Sequence, residues 1–288
     1  METRRPTIRR AHDDGADRWE MVAAAPAPAL RKRVGYYCDY WEQTTSFAAR
    51  RELAATSGVL IYALDAPLEI TGADGRVVTV AAGEAFAGGI ADATSISRGL
   101  GAQAGVHIFL PLCSLAEVCG TPLSEIANCV APLRDLIGAD ADRIGGALLD
   151  AADAEMRFDH LDRFLMSRFA REPARDRPIA WAMRRLARAA RPVTSALASE
   201  IGWSRKHFTR RFRSVTGFSP DRFRRLARFE RFTAAIAASP GAGLAGLAAD
   251  CGYVDQAHLA RDVRDFAAMT PGELRVRLIP GDGGVRED

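Results

Sequence analysis

The sequence predicts an α+β protein in two parts. The first is a β-rich, sandwich- or barrel-like N-terminal domain with a helical extension. The second is an all-α C-terminal domain of two helix-turn-helix units joined by a helix. Three observations carry this reading. Between Val34 and Leu110, short runs rich in β-branched and aromatic residues recur at a spacing of roughly ten residues. Beyond Pro111, apolar residues recur at helical three- and four-residue steps. Between Pro192 and Leu278 one phrase occurs twice, as Leu197-Ala…Gly202-Trp203 and Leu247-Ala…Gly252-Tyr253, each running into a basic helix.

A chain of 288 residues can bury a sizeable core and divide into two domains. No apolar run approaches the length of a membrane span, so no membrane partner is expected. Asp13, Asp14, Asp17 and Glu20 make the N-terminus a poor signal peptide, and a cytoplasmic protein is expected. Five cysteines (Cys38, Cys113, Cys119, Cys129, Cys251) form an odd set without a C-x-x-C pair. Reduced, buried thiols fit that pattern better than a disulfide framework or a redox or metal centre at Cys113, Cys119 and Cys129. No cofactor is expected.

The net charge of +3 conceals an asymmetry. From Arg177 to Ile279 there are 19 basic residues against 8 acidic ones, while the remainder carries 20 against 28. A basic C-terminal third beside an acidic remainder points to nucleic acid as the partner of the former.

In chain order, residues 1–30, rich in Arg, Asp, Ala and Pro, read as a leader that is mobile or loosely laid on the domain. Residues 31–110 form the β-rich sensor or assembly domain. Val59 to Leu64 is a strand, and Leu68 to Ile70 with Val77 to Val80 flank Gly72-Ala-Asp-Gly75 as a hairpin. Segments at Ala85–Gly89, Thr94–Ser97 and Val106–Leu110 continue the pattern. A small barrel of this kind can hold a ligand in its mouth or be packed solid. His107, the one histidine of this region, reads as a packing residue, since a metal site needs several clustered ligands.

Residues 111–172 form the helical extension, with helices over 139–151 and 154–170. In the second of these, Phe158, Leu161, Leu165 and Phe169 make one apolar stripe, which packs on its own domain or serves a homodimer. A polar, proline-bearing hinge at 172–178 marks the boundary. The DNA-binding domain then spans 177–279, and 280–288 is a tail.

The repeat carries the chemistry. In the first unit Leu197, Ile201, Phe208 and Phe212 close two helices across Gly202, which supplies the turn, and Ser204 caps the second helix. With Phe208 and Phe212 inward, Lys206, Thr209, Arg210 and Arg213 share another face. Arginine can donate two hydrogen bonds to guanine in the major groove while neighbouring cations hold phosphates. In the second unit Gly252 turns the chain, Asp255 caps, and Leu259 and Val263 point inward. Gln256, Ala260, Arg261 and Arg264 point outward. Glutamine suits adenine and alanine a thymine methyl. Asp262 and Asp265 lower the charge of this unit, so weaker binding is expected of it. Between the units a helix from Ser219-Pro220 to about Ala238 is rich in arginine. At ~1.5 Å per residue it spans roughly 30 Å, close to the ~34 Å of one DNA turn. That length suits two readers in successive major grooves.

At these residues the chain resembles the AraC/XylS family of bacterial transcription regulators. The resemblance runs from Leu197-Ala…Gly-Trp-Ser204…Phe208-Thr-Arg-Arg-Phe212 through Gly217-Phe-Ser-Pro220 with Phe223, Arg225 and Arg228. It continues in Leu247-Ala-Ala-Asp-Cys-Gly-Tyr253, Asp255-Gln-Ala-His258-Leu, Arg261 and Thr270-Pro-Gly-Glu-Leu-Arg275. It implies two helix-turn-helix subdomains joined by a helix, with base contacts from Lys206, Thr209, Arg210, Gln256, Ala260 and Arg261. Phosphate contacts are expected from Arg205, Arg213, Arg225, Arg228 and Arg264. Val263 stands where the family usually has phenylalanine. Gly243 and Gly246 weaken the first helix of the second unit, since each glycine within a helix costs about 1 kcal/mol. The N-terminal part also resembles a regulator subgroup with a β-rich sensor domain, through Arg51-Glu-Leu…Val59-Leu-Ile…Pro67-Leu.

The resulting expectation is a transcriptional regulator, not an enzyme. Its partners would be double-stranded DNA and, as further candidates, RNA polymerase, a small-molecule effector and a second copy of the chain. Two alternatives stay open: a DNA-repair alkyl-acceptor enzyme carrying the same module, which needs a reactive thiolate, and a constitutive regulator whose β domain serves only assembly.

Overall fold

The computed structural model describes residues 5–171, 176–188, 194–279 and 284–287. The strands are β1 (Thr7–Asp13), β2 (Asp17–Ala24), β3 (Tyr36–Thr44), β4 (Ala49–Glu52), β5 (Ser57–Ala63) and β6 (Leu68–Thr71). They continue with β7 (Val77–Val80), β8 (Ala85–Gly88), β9 (Ser95–Gly99), β10 (Gln103–Pro111), β11 (Val130–Pro132) and β12 (Val285–Glu287). All pairings are antiparallel. One sheet has the order β1-β2-β3-β10-β5-β8-β11 and the other β12-β4-β9-β6-β7. The two enclose a cavity of about 400 Å³ whose walls come from both sheets.

The strands follow the period-two logic of their sequences. In β10, Val106, Ile108 and Leu110 are buried against helices, whereas His107 and Phe109 face the cavity. The β6–β7 hairpin closes over Asp74-Gly75, with Gly75 at φ +79°, a conformation that favours glycine.

The helices are α1 (Leu112–Cys119), α2 (Leu133–Ile137), α3 (Ala139–Leu149), α4 (Ala154–Arg171), α5 (Arg177–Arg188) and α6 (Thr194–Ile201). Then come α7 (Arg205–Thr216), α8 (Pro220–Ala238), α9 (Leu244–Asp250), α10 (Gln256–Ala267) and α11 (Pro271–Arg277). Phe158, Leu161, Leu165 and Phe169 of α4 are all buried within the chain, which leaves that stripe no part in a dimer. One apolar core runs from the larger sheet through α4 and α5 into the helices that follow.

Two expectations are overturned. Residues 5–30 are not a mobile leader: β1 and β2 form a hairpin on the edge of the larger sheet. Its turn is made by Asp14, which accepts from the backbone N–H groups of Ala16 (3.0 Å) and Asp17 (2.8 Å), with Gly15 at φ +87°. Asp162 of α4 then fastens the segment, pairing with Arg5 and accepting from the Ala27 N–H (3.1 Å) and the Tyr37 hydroxyl (2.8 Å). Nor are residues 284–287 a loose tail, because β12 pairs with β4 and Glu287 binds Arg51 through two bonds of 2.8 and 2.6 Å. Residues 172–175 of the expected hinge, and 280–283 of the tail, lie outside the described residues.

Candidate nucleic-acid interface

The duplicated phrase folds twice in the same way. After α6 the backbone turns at Gly202 (φ +78°), and the Trp203 N–H returns to the Ala198 carbonyl at 2.8 Å. After α9 it turns at Gly252 (φ +88°), and the Tyr253 N–H returns to the Ala248 carbonyl at 3.0 Å. A left-handed residue here satisfies the last carbonyls of the first helix while redirecting the chain into the second. The second turn holds one extra residue, the exposed Val254. Equivalent positions are therefore 50 residues apart before the turn and 51 after it. Arg205 thus takes the same helical position as Gln256, and Thr209, Arg210 and Arg213 match Ala260, Arg261 and Arg264.

Both second helices are capped: Ser204 accepts from the His207 N–H at 3.2 Å and Asp255 from the His258 N–H at 2.7 Å. Phe208 and Phe212 are buried in the first unit, and Leu259, Val263 and Phe266 in the second. Each unit thus has a side-chain cap and a buried core of its own. Gly243 is the N-cap of α9 and lies outside its interior, so it carries no interior-glycine cost.

Charge separates the units. On α7, Arg205, Lys206, Arg210 and Arg213 are exposed and Thr209 is half-buried beside them. Arg210 touches only the His207 ring (3.4 Å), and no ion pair engages the other three among the described residues. On α10, Gln256, Arg261 and Arg264 are exposed, with Ala260 half-buried. The structure thus gathers Lys206, Thr209, Arg210 and Arg213 on one free face, and Gln256, Ala260, Arg261 and Arg264 on another.

Arg225 and Arg228 belong to neither face, which corrects their assignment to phosphates. Arg228, only 3% exposed, binds Asp262 at 2.6 Å and the His258 ring at 2.6 Å. Arg225 binds Asp262 (2.8 Å) and Asp265 (2.6 Å). Burial removes Arg228 from the reach of a phosphate, and the two carboxylates balance the charge of Arg225 and hold it on the α8–α10 contact. The same pairs tie Asp262 and Asp265 of α10 to α8.

Contacts that the repeat pattern does not disclose join this assembly to the sheets. Arg222 binds the Asp92 carboxylate (2.6 Å) and carbonyl (3.2 Å), and Thr56 donates to Glu230. Beneath α8 lies the cavity between the sheets, lined by Thr233, Ala234 and Ala237 of α8, by Leu278 and Ile279, and by strand residues. Its polar wall holds Glu42, Arg50, Glu52 and His107. Arg50 binds Glu42 at 2.9 Å, and Ser97 donates to Glu52 at 2.7 Å. Burial lowers His107 from 6.5 to about 3, with Arg50 adding to the shift, so it is neutral. The only sequence signal for this wall was the charged run Arg50-Arg51-Glu52 in a β-rich region.

Burial pushes the Cys113 thiol up to about 11 and Cys119 up to about 12, and it raises Cys251. These three are poor nucleophiles, which makes none of them a fit alkyl acceptor. Among the described residues no helix is long and apolar enough to cross a membrane.

Comparison with known proteins gives the geometry a context. Residues 197–277 match the family described as Helix-turn-helix domain, and this domain is of the AraC type. No curated protein matches the chain. Crystal structures of ToxT from Vibrio cholerae share the fold at low identity. An apo variant from strain SCE256 has TM-score 0.50 and 10% identity, covering 83% of this chain and 97% of that one. A second ToxT crystal form gives 0.50 and 8%, covering 91% and 98%. ToxT from strain O395 bound to (E)-4-(8-methylnaphthalen-1-yl)but-3-enoic acid gives 0.50 and 9%, covering 80% and 94%.

Proposed function

We propose that the AraC-type helix-turn-helix domain at residues 197–277 makes this chain a sequence-specific, DNA-binding transcriptional regulator of the cytoplasm, and that the cavity between its sheets receives a small effector. The observation that carries the first part is the free basic face of α7, held rigidly relative to a second, identically capped reader. The 19 residues of α8 measure about 28 Å at ~1.5 Å per residue, near the ~34 Å repeat of duplex DNA. In this reading Lys206, Thr209 and Arg210 of α7 and Gln256, Ala260 and Arg261 of α10 meet base edges. Arg205, Arg213 and Arg264 hold phosphates. The first unit, with more exposed positive charge, anchors binding and the second adds selectivity.

The effector half of the reading is supported by position. The cavity is lined jointly by strands and by α8, the helix that spaces the two readers. A molecule bound there touches the DNA-binding half directly, so occupancy can bias its placement. That ToxT, of the same fold, holds a small organic acid agrees with this. An assembly-only role for the β half gives no reason for such a cavity.

The test is binding to fragments of the source genome across a salt series. A regulator of this kind selects a subset of fragments, with affinity falling steeply as salt rises. Uniform weak binding to all fragments would contradict sequence-specific reading.

A further inference from the structure

The charge inventory of the inter-sheet cavity is lopsided. Among the described lining residues three carboxylates, Glu42, Glu52 and Glu230, face one cation, Arg50. Arg50 is already matched by Glu42 at 2.9 Å. That leaves Glu52, supported by the Ser97 hydroxyl at 2.7 Å, and Glu230, supported by the Thr56 hydroxyl. Neither forms an ion pair among the described residues; Arg50 acts on Glu52 and Arg231 on Glu230 only from a distance, and burial, the larger effect, raises the pKa of both. His107, neutral, does not offset them. The rest of the wall is mainly apolar, from residues such as Ile61, Ile70, Phe86 and Val130.

Taking the cavity as the effector site, we infer that its ligand is a protonated amine carried on an apolar body, and not a carboxylate. A buried carboxylate without a counter-charge is held in its neutral form, and an arriving cation restores its charge. A ligand carboxylate would instead bring a further negative charge into the same poorly hydrated space. The cavity volume, about 400 Å³, is in the range of sites for small organic ligands, roughly 300–1,000 Å³. One donor inside is unmatched: Arg50 Nε is buried without an acceptor. A neutral oxygen near the amine, as in an amino alcohol, would satisfy it.

The position of Glu230 gives the inference a consequence for regulation. Glu230 lies on α8, and its bond from Thr56 is one of the contacts between the sheets and the DNA-binding half. An ammonium group that engages Glu230 competes with that contact. Amine binding is therefore coupled to how the linker helix sits on the sheets.

The experiment uses the full-length protein and isothermal titration calorimetry at pH 7.5 with three probes of one shape: 4-phenylbutylamine, 4-phenylbutanol and 4-phenylbutanoate. The amine is expected to bind at least tenfold tighter than the other two. Glu52→Gln and Glu230→Gln should each weaken the amine fivefold or more while leaving the alcohol unchanged, which also reports that the variants are folded. Ile61→Trp from the sheet and Ala237→Trp from α8, each intruding on the cavity, should abolish binding. A carboxylate that binds as tightly as the amine and is blocked by the tryptophans would overturn the amine inference while leaving the effector cavity standing. An amine that ignores both glutamine variants would overturn it too. Binding by none of the probes, or binding indifferent to both tryptophans, would overturn the inference together with the cavity reading beneath it.

Discussion

Arg228 of the linker helix and Asp262 of the second recognition helix form an ion pair of 2.6 Å, with side chains 3% and 0% exposed. Two charges are withdrawn from water to fix the angle between α8 and α10, with Arg225 and His258 completing their shell. Removing one partner of such a pair leaves the other charge buried and unmatched, at a cost of about 3–5 kcal/mol. Asp262→Ala is therefore expected to lower the denaturant midpoint by a corresponding amount. The double variant Arg228→Met, Asp262→Leu should recover most of the loss. Equal stability of Asp262→Ala and wild type would show that the pair is not structural.

This pair also marks where the sequence was legible and where it was not. The doubled Leu-Ala…Gly-aromatic phrase has the period, the turn glycine and the caps of a helix-turn-helix. Its two units form as read, since those signals are local. Arg225 and Arg228 look like DNA-facing residues in a basic helix, and only the tertiary packing of Asp262 against them shows otherwise. The extra residue Val254, hidden in a polar turn, shifts the alignment of the units. The terminal strands failed for a related reason. Strands β1, β2 and β12 sit in stretches rich in Arg, Asp and Gly, and their order comes from sheet partners and from Asp162 and Arg51, far away in sequence.

The N-terminal hairpin should behave as part of the folded core. Trypsin acting on the native protein is expected to spare Arg9, Arg10 and Arg18, and Asp162→Ala, which removes the partner of Arg5, Ala27 and Tyr37, should open those sites and lower the melting temperature. Rapid cleavage there in the wild type would restore the mobile-leader reading.

Arg51 and Glu287 hold β12 on β4 while remaining about one-fifth exposed, with side chains 21% and 24% accessible. Solvent screening limits such a pair, so Glu287→Ala should cost no more than about 1 kcal/mol. The Arg51 hydrogen bonds hold the Glu287 carboxyl below its usual range. With the folded value depressed, the contribution is complete above the ordinary glutamate range, near 4.5, and fades as the pH falls through the lower folded value. Chemical denaturation of Glu287→Ala and wild type at a series of acidic pH values should converge. A difference that grows on acidification would contradict the assignment.

His107 predicts a second acid sensitivity. Its folded pKa is about 3 against 6.5 for a free side chain. The unfolded chain therefore binds the proton first, and stability declines as pH falls from 6.5 towards 3, by at most about 1.4 kcal/mol per pH unit. His107→Gln should flatten this slope in equilibrium denaturation. An unchanged slope would place the acid sensitivity elsewhere.

Two readers on one rigid spacer leave a distinctive trace on DNA, and hydroxyl-radical footprinting with methylation interference on a bound fragment looks for it directly. The expected result is two contacted major-groove segments about one helical turn, ~10.5 base pairs, apart. Arg210→Ala should relax base preference in one segment at a cost of roughly 1–3 kcal/mol, and Arg261→Ala in the other. A single contacted segment, or substitutions that weaken binding to all DNA alike without altering preference at any base, would contradict the two-reader account.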